Sequence, residues 1–282
     1  MEVWLQGLIG REFSLFCHDF MCRQTKMIHE TAIIDPSAKI AKNVSIGAYS
    51  SIGKDVEIGS GTIIESNVVI HKNSKLGKDN HVYPFASIGG DPQDLKYENE
   101  ETFLEIGNNN QIREGVTINR GTAQEKGLTT IGNNNLFMAY SHVAHDCTLD
   151  DDIVLVNNVA LAGVVNIAKG ARLGGYTLVH QFCNIGPYSF CAMGSAVSKD
   201  IPAFVRVSGN PAIPRGLNVI GIQRLDLGKD QSSLLKKFYK LVYLRKLKLD
   251  QAISEIEKEV SDFDEGKLFL HSIQSSDRGI VR

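Results

Sequence analysis

The sequence predicts a parallel β-helix followed by a small helical domain, and three observations carry that prediction. Every sixth residue from Ile34 to Ile88 is aliphatic (Ile34, Ile40, Ile46, Ile52, Ile58, Ile64, Ile70, Leu76, Val82, Ile88). The step of six resumes at Ile106, Ile112 and Ile118, and again from Ile131 through Phe137, Val143, Leu149, Leu155, Leu161, Ile167, Leu173, Val179, Ile185 and Cys191 to Val197. The neighbours repeat too: glycine often follows (Gly47, Gly53, Gly59, Gly77, Gly107), and a small or β-branched residue stands two positions before (Ala38, Val44, Ser50, Val56, Thr62). Beyond Gly228 the pattern turns helical, with Leu234, Leu235, Phe238, Leu241 and Val242 on one face.

Six is neither the helical nor the simple strand period. It fits short strands joined by tight turns, where Gly and Asn accept positive φ. Three such strands close a triangular coil of about 18 residues, and stacking places the aliphatic residues in one inner column. At ~4.8 Å per coil, about eight coils make a prism roughly 40 Å long.

Composition agrees. The chain has 282 residues, 43% apolar and 22% charged, which excludes collagen-like, disordered and membrane-embedded classes. No apolar run approaches the ~18 residues a membrane span needs. A net charge of -2 does not advertise nucleic-acid binding. Five cysteines without a CxxC pair argue against a disulfide framework and for a reducing cytoplasm.

Residues 1–26 contain the only tryptophan, Trp4, and lack the repeat. Glu2 precedes the first basic residue, and Arg11, Glu12 and Asp19 interrupt the apolar stretch, unlike a secretory signal. This segment reads as an atypical, poorly ordered extension, with Met27 as an alternative start. The β-helix is expected over 27–201. Two breaks in the repeat, near 89–105 and 119–130, read as loop inserts on the face that carries function. Asp94 and Lys96 in the first are candidates for ligand contact. Pro202, Pro211 and Pro214 mark a connecting segment over 202–228, and helices fill 229–282. The first of these is basic (Lys236, Lys237, Lys240, Arg245, Lys246, Lys248) and the next acid-rich (Glu255, Glu257, Glu259, Asp262). Such a run is either a solvated face or a dock for an acidic partner; no aromatic or glycine-rich RNA motif accompanies it.

The scaffold leaves the function to a site. His142 and His145 bracket the inward Val143. Adding one coil to 145 gives Gly163, and a second gives Gln181 beside His180, so His145, Gly163 and Gln181 stack along one edge. A histidine beside a residue without a side chain suits acyl transfer: imidazole takes a hydroxyl proton and the backbone N–H reaches an oxyanion. The alternative is a set of surface histidines bonded to turns. Zinc is the rival use, but His142 and His145 lack the spacing of hexapeptide carbonic anhydrases, and no metal is expected. Cys147, Cys183 and Cys191 read as core.

The motifs QDLKY (93–97), RGT (120–122), AHDC (144–147), LAG (161–163), VHQFC (179–183), GN (209–210) and NVIG (218–221) go further. Through them residues 28–282 resemble the bacterial UDP-N-acetylglucosamine O-acyltransferase family of lipid A biosynthesis, about nine-tenths of the chain. The resemblance implies a left-handed coil, against the usual hand of parallel crossovers. It implies a cytoplasmic homotrimer with sites between neighbouring prisms. It implies transfer of a 3-hydroxyacyl chain from acyl carrier protein to the 3-position of the sugar nucleotide, with no cofactor beyond the donor's phosphopantetheine thioester. His145 matches the general base, Asp146 its partner and Gly163 the oxyanion donor. Because adjacent strand residues point to opposite faces, the His145–Asp146 pair requires a bend. Asp94, Lys96, His142, His180, Gln181 and Arg224 match residues that hold the substrates, and the basic helix acquires a partner in the acidic carrier protein. Asn119 and Val164 stand where well-known members carry histidine, which leaves the acceptor, hydroxyl or 3-amino, open. Met193 stands where some members have glycine and is expected to shorten the acyl groove. A coenzyme A-dependent hexapeptide acyltransferase, the later N-acyltransferase of the pathway and a non-catalytic scaffold are the other readings.

Overall fold

In the computed structural model the described residues are 27–260 and 262–282; the expected N-terminal extension, 1–26, falls outside them. Strands of mostly two residues form three sheets of nine, eight and ten strands, and as far as Ala196–Val197 each strand pairs with the third one along the chain. Ile33 lies opposite Ser51, and Ile34 opposite Ile52. In each two-residue strand one side chain faces out and the other in. The inner ones stack coil on coil, as in Ile52–Ile70–Ile88–Ile118–Val143–Leu161–Val179–Val197 along the nine-stranded sheet, all buried.

The corners explain the flanking residues. From Val44 on, the residue two before each inner position is buried at the turn, and several of the polar ones stitch coils together. Ser50 Oγ donates to the Glu65 carbonyl at 2.7 Å and accepts from the Val68 N–H at 3.2 Å. Corner after corner then places one residue in the left-handed region, including Asn43, Asp55, Asn67, Asn73, Asp79 and Asn109. Asn and Asp tolerate that conformation best among side-chain-bearing residues. At two corners where a tyrosine takes this place a glycine of the neighbouring coil makes room: a Cβ on Gly115 would meet the Tyr140 ring at 2.6 Å, and one on Gly170 the Tyr188 ring at 2.6 Å.

Two segments interrupt the regular coils. One insert lies between strands Ser87–Gly90 and Phe103–Ile106, the other between Thr117–Asn119 and Leu128–Ile131. A buried asparagine ladder carries the coils past both. The backbone N–H of Asn110 donates to Asn80 Oδ1 across 30 residues, that of Asn135 to Asn110 Oδ1 across 25, and that of Ile153 to Asn135 Oδ1 across the regular 18.

The segment 202–228 is more than a connector. Val205–Ser208 adds a parallel strand beside Phe190–Cys191, and Ile213–Leu217 returns antiparallel to end the ten-stranded sheet. Prolines and the loss of the six-residue step hide both strands in the sequence. Helix α1 (Val219–Gln223) follows, then α2 (Lys229–Tyr243), α3 (Leu249–Glu257) and α4 (Asp264–Gln274). Leu235, Phe238, Val242, Ala252, Ile256, Phe269 and Ile273 form their buried core. The C-terminal residues dock back on the last coil, where the Asp200 N–H donates to the Gly279 carbonyl at 3.1 Å and the Val281 N–H to the Asp200 carbonyl at 2.9 Å. Among the described residues no helix is long and apolar enough to cross a membrane.

Val164 occupies a corner at φ +61°, a costly place for a β-branched residue. Val164→Asn should therefore raise stability by about 1 kcal/mol, read as a higher thermal midpoint. An unchanged or lower midpoint would show that Val164 packing outweighs the backbone strain.

Candidate active site

The strand His142–Val143 runs into a corner made by Ala144, His145 and Asp146. Asp146 has φ +59°, and this is the bend the adjacent pair requires. Its Oδ2 lies 2.9 Å from His145 Nδ1. A carboxylate can only accept, so in the neutral ring Nδ1 carries the proton and Nε2 the lone pair.

The second insert closes over this carboxylate. Thr122 donates to Oδ2 through its backbone N–H at 2.9 Å and its hydroxyl at 2.7 Å, and the Lys126 N–H reaches Oδ1 at 3.1 Å. Asp146 is fully buried. Burial pushes its carboxyl pKa up, but hydrogen bonds from His145 and Thr122 and the His145 charge outweigh it and hold the group below the usual carboxylate range. His145 moves the other way. Its hydrogen bond to Asp146 raises the imidazole above its ordinary value, burial opposes, and the charges of Asp146, Asp94 and Glu125 add to the rise.

Gly163 lies one coil on, directly against the ring. A Cβ there would stand 2.4 Å from His145 Cε1 and 2.5 Å from Nε2, so any side chain would displace the imidazole. Among the described residues the Gly163 N–H donates to no backbone carbonyl. An imidazole nitrogen with a lone pair can take a proton, and a backbone N–H at the neighbouring coil can stabilise an oxyanion.

The first insert brings Asp94 Oδ2 to 4.0 Å from His145 Nε2. The Lys96 N–H donates to Asp94 Oδ1 at 2.9 Å and fixes that carboxylate, while the Lys96 side chain is exposed. His142 faces outward from its strand with Nδ1 2.7 Å from Thr117 Oγ1; burial and the His145 charge lower its pKa. Gln181 occupies the same edge beyond Gly163, and exposed His180 donates from Nδ1 to the Gln181 carbonyl at 3.1 Å. Arg224 and Met193 are not brought to this edge. Arg224 follows α1 beside the ten-stranded sheet, and Met193 stands 78% exposed at the corner between the ten- and nine-stranded sheets.

Sequence reasoning overlooked the residues that hold the inserts. Arg120 is buried, and its guanidinium donates to the Gly89 carbonyl, the Asp91 carboxylate and, at 3.1 Å, the Tyr97 hydroxyl. Asn119 Nδ2 donates to the Asp91 carbonyl at 2.8 Å. Arg120 and Thr122 are both in the RGT motif, which was the available signal. Cys147, next to Asp146, is not a nucleophile: burial pushes its thiol up to about 12. Among the described residues no cluster of three or more His, Cys, Asp or Glu could hold a metal ion.

Two family models match the chain, one described as bacterial transferase hexapeptide (six repeats) over residues 37–72, the other as UDP N-acetylglucosamine O-acyltransferase, domain 2, over residues 200–281. A Stutzerimonas stutzeri protein named acyl-[acyl-carrier-protein]–UDP-N-acetylglucosamine O-acyltransferase is 50% identical over 209 residues, which is 74% of this chain and 81% of that protein. The solved structure of LpxA from Acinetobacter baumannii aligns with a TM-score of 0.89 at 46% identity, covering 91% of this chain and 100% of that one. UDP-N-acetylglucosamine O-acyltransferase from Moraxella catarrhalis gives 0.89 at 47% identity with the same coverage.

The two histidines should titrate in opposite senses. In a histidine-labelled NMR titration His145 should gain its proton above the ordinary imidazole pH and His142 below it. Asp146→Asn removes the main cause of the rise, so His145 should then titrate at lower pH; an unmoved midpoint would refute the coupling.

Proposed function

The chain belongs to the family of acyl-[acyl-carrier-protein]–UDP-N-acetylglucosamine O-acyltransferases, and we propose that His145 is the general base of that reaction. The protein is an acyltransferase of the first step of lipid A biosynthesis, built as a left-handed parallel β-helix. The scaffold reading is thereby set aside. The observation that carries the catalytic assignment is the His145 ring lying against Gly163 with Asp146 on its far nitrogen.

In the proposed step, Nε2 removes the proton of the sugar's 3-hydroxyl as that oxygen attacks the thioester carbonyl of a 3-hydroxyacyl carrier protein. The carbonyl electrons move to oxygen, where the Gly163 N–H stabilises them. The C–S bond then breaks, and the thiolate of the phosphopantetheine arm takes the proton back from His145. Buried Asp146 keeps the imidazole in the reactive tautomer and stabilises it while charged. Asp94 and Lys96 hold the sugar next to Nε2. No metal or resident cofactor enters the scheme; the phosphopantetheine thioester arrives with the donor.

The acyl chain has a route across the nine-stranded sheet. Beyond His142 the outward row is apolar, with Ala160 opposite Leu178 and Leu178 opposite Ala196, and it leads toward Met193. Met193 would close that route and select a shorter chain. Arg224 lies away from His145 within one chain, which supports a homotrimer in which a neighbouring copy brings it to the cleft, with His180 and Gln181 lining the other wall. The carrier protein docks on the groove of about 470 Å³ lined by Leu217, Val219, Ile222, Lys236 and Lys240, where lysines rim an apolar floor. The cytoplasm is the matching site of reaction.

The test is acyl transfer by the purified protein with 3-hydroxyacyl carrier proteins of several lengths, using UDP-N-acetylglucosamine and its 3-amino analogue in parallel. His145→Ala should lose about 10²- to 10⁴-fold in kcat/KM. Retention within tenfold would remove His145 as the base, and preference for the amine would correct the acceptor. Met193→Gly should shift the preferred donor to longer chains; an unchanged series would assign Met193 to packing alone.

A further inference from the structure

The outward row of the nine-stranded sheet changes character at His142. Ser87, Thr117 and His142 lie side by side in register, and Ala160, Leu178 and Ala196 continue the row. His142 is half-buried at that boundary, three residues before His145. Its Nδ1 bonds to Thr117 Oγ1 at 2.7 Å, and its Nε2 has no partner among the described residues.

A hydroxyl and an imidazole nitrogen can bond in either direction, and the surroundings decide which. Among the described residues Thr117 Oγ1 has no hydrogen-bond partner besides His142. The neighbouring Ser87 hydroxyl is bonded instead to His71, at 3.0 Å. If His142 Nδ1 donated, the Thr117 hydroxyl proton would be left without a protein acceptor. If Thr117 donates, that proton and the Nδ1 lone pair satisfy each other. A neutral imidazole then carries its own proton on Nε2. Neutrality fits the site: burial, and then the charge of His145, work against a second proton on the His142 ring. The two histidines are thereby held in opposite tautomers. Asp146 can only accept and fixes the proton of neutral His145 on Nδ1, whereas Thr117 fixes that of His142 on Nε2. One ring offers a lone pair and the other a donor.

We propose that Thr117 is a positioning residue, whose hydroxyl donates to His142 Nδ1 and leaves the Nε2–H to bond an uncharged oxygen of the substrate's sugar. A neutral N–H suits a hydroxyl or an amide carbonyl oxygen; a diphosphate is better matched by a cation. The choice of ligand rests on the acyltransferase reading; the tautomer does not.

Nitrogen NMR of the histidine-labelled full chain reads the tautomer directly, because protonated and unprotonated ring nitrogens resonate far apart. With both rings neutral, His142 should show a bare Nδ1 and a protonated Nε2, and His145 the reverse. Thr117→Asp presents only an acceptor and should move the His142 proton to Nδ1, an effect that a purely structural role for Thr117 would not produce. Thr117→Val removes the hydroxyl and should weaken UDP-N-acetylglucosamine about three- to tenfold in calorimetric titration, with UDP unchanged. Thr117→Ser should restore the affinity. A wild-type His142 protonated on Nδ1 would overturn the tautomer, and this reading needs no variant to fold. Unchanged UDP-N-acetylglucosamine affinity in Thr117→Val, or an equal loss for UDP, would overturn the sugar contact. A wild type that binds no UDP-N-acetylglucosamine would refute the acyltransferase reading and the ligand with it, while the tautomer stands or falls on the NMR result alone.

Discussion

Every coil hydrogen-bonds only to the coils before and after it, and the regular step between them is eighteen residues. That constraint decides what can be neighbours. Residues one step apart share an edge or a face at ~4.8 Å, whatever their chemistry. The inner column must be apolar along its length, and corner after corner must accept a left-handed residue. Function is confined to what one edge can present and to the two places where the step is broken.

The corner at His145 uses both. The step sets Gly163 beneath His145, and the corner's positive φ turns Asp146 alongside the ring. Neither feature buries and satisfies the carboxylate; the second insert does that through Thr122 and the Lys126 N–H. The first insert adds Asp94 on the opposite nitrogen. Arg120 ties the first insert to the second, so the two inserts are one construction around the imidazole.

The parts legible in the sequence are those the repeat controls. The inner column, the coil length and the alignment of His145, Gly163 and Gln181 follow from counting, because the step is uniform between 131 and 197. The need for a bend between His145 and Asp146 was also visible; its form was not, since Asp146 is one of many corner residues. What counting could not reach is set by contacts across irregular offsets. The Arg120–Asp91 pair joins residues from two loops, and the Thr122–Asp146 bonds depend on how tightly a loop folds back. The strand Val205–Ser208 escaped because it lies off the six-residue step, and Ile213–Leu217 because Pro214 interrupts it and it pairs antiparallel, outside any six-residue rhythm.

The antiparallel strand Ile213–Leu217 also bears on how the molecule stays finite. A stack of identical parallel coils offers at its end the same ladder of unpaired backbone groups that it used internally, and a second molecule could continue it into a fibre. Here the ten-stranded sheet closes on a strand running the wrong way, and the C-terminal residues Gly279–Val281 lie across the last coil at Asp200. The chain thus terminates its own lattice. A protein whose interior is a one-dimensional crystal remains a discrete particle because its last residues do not obey the crystal's symmetry.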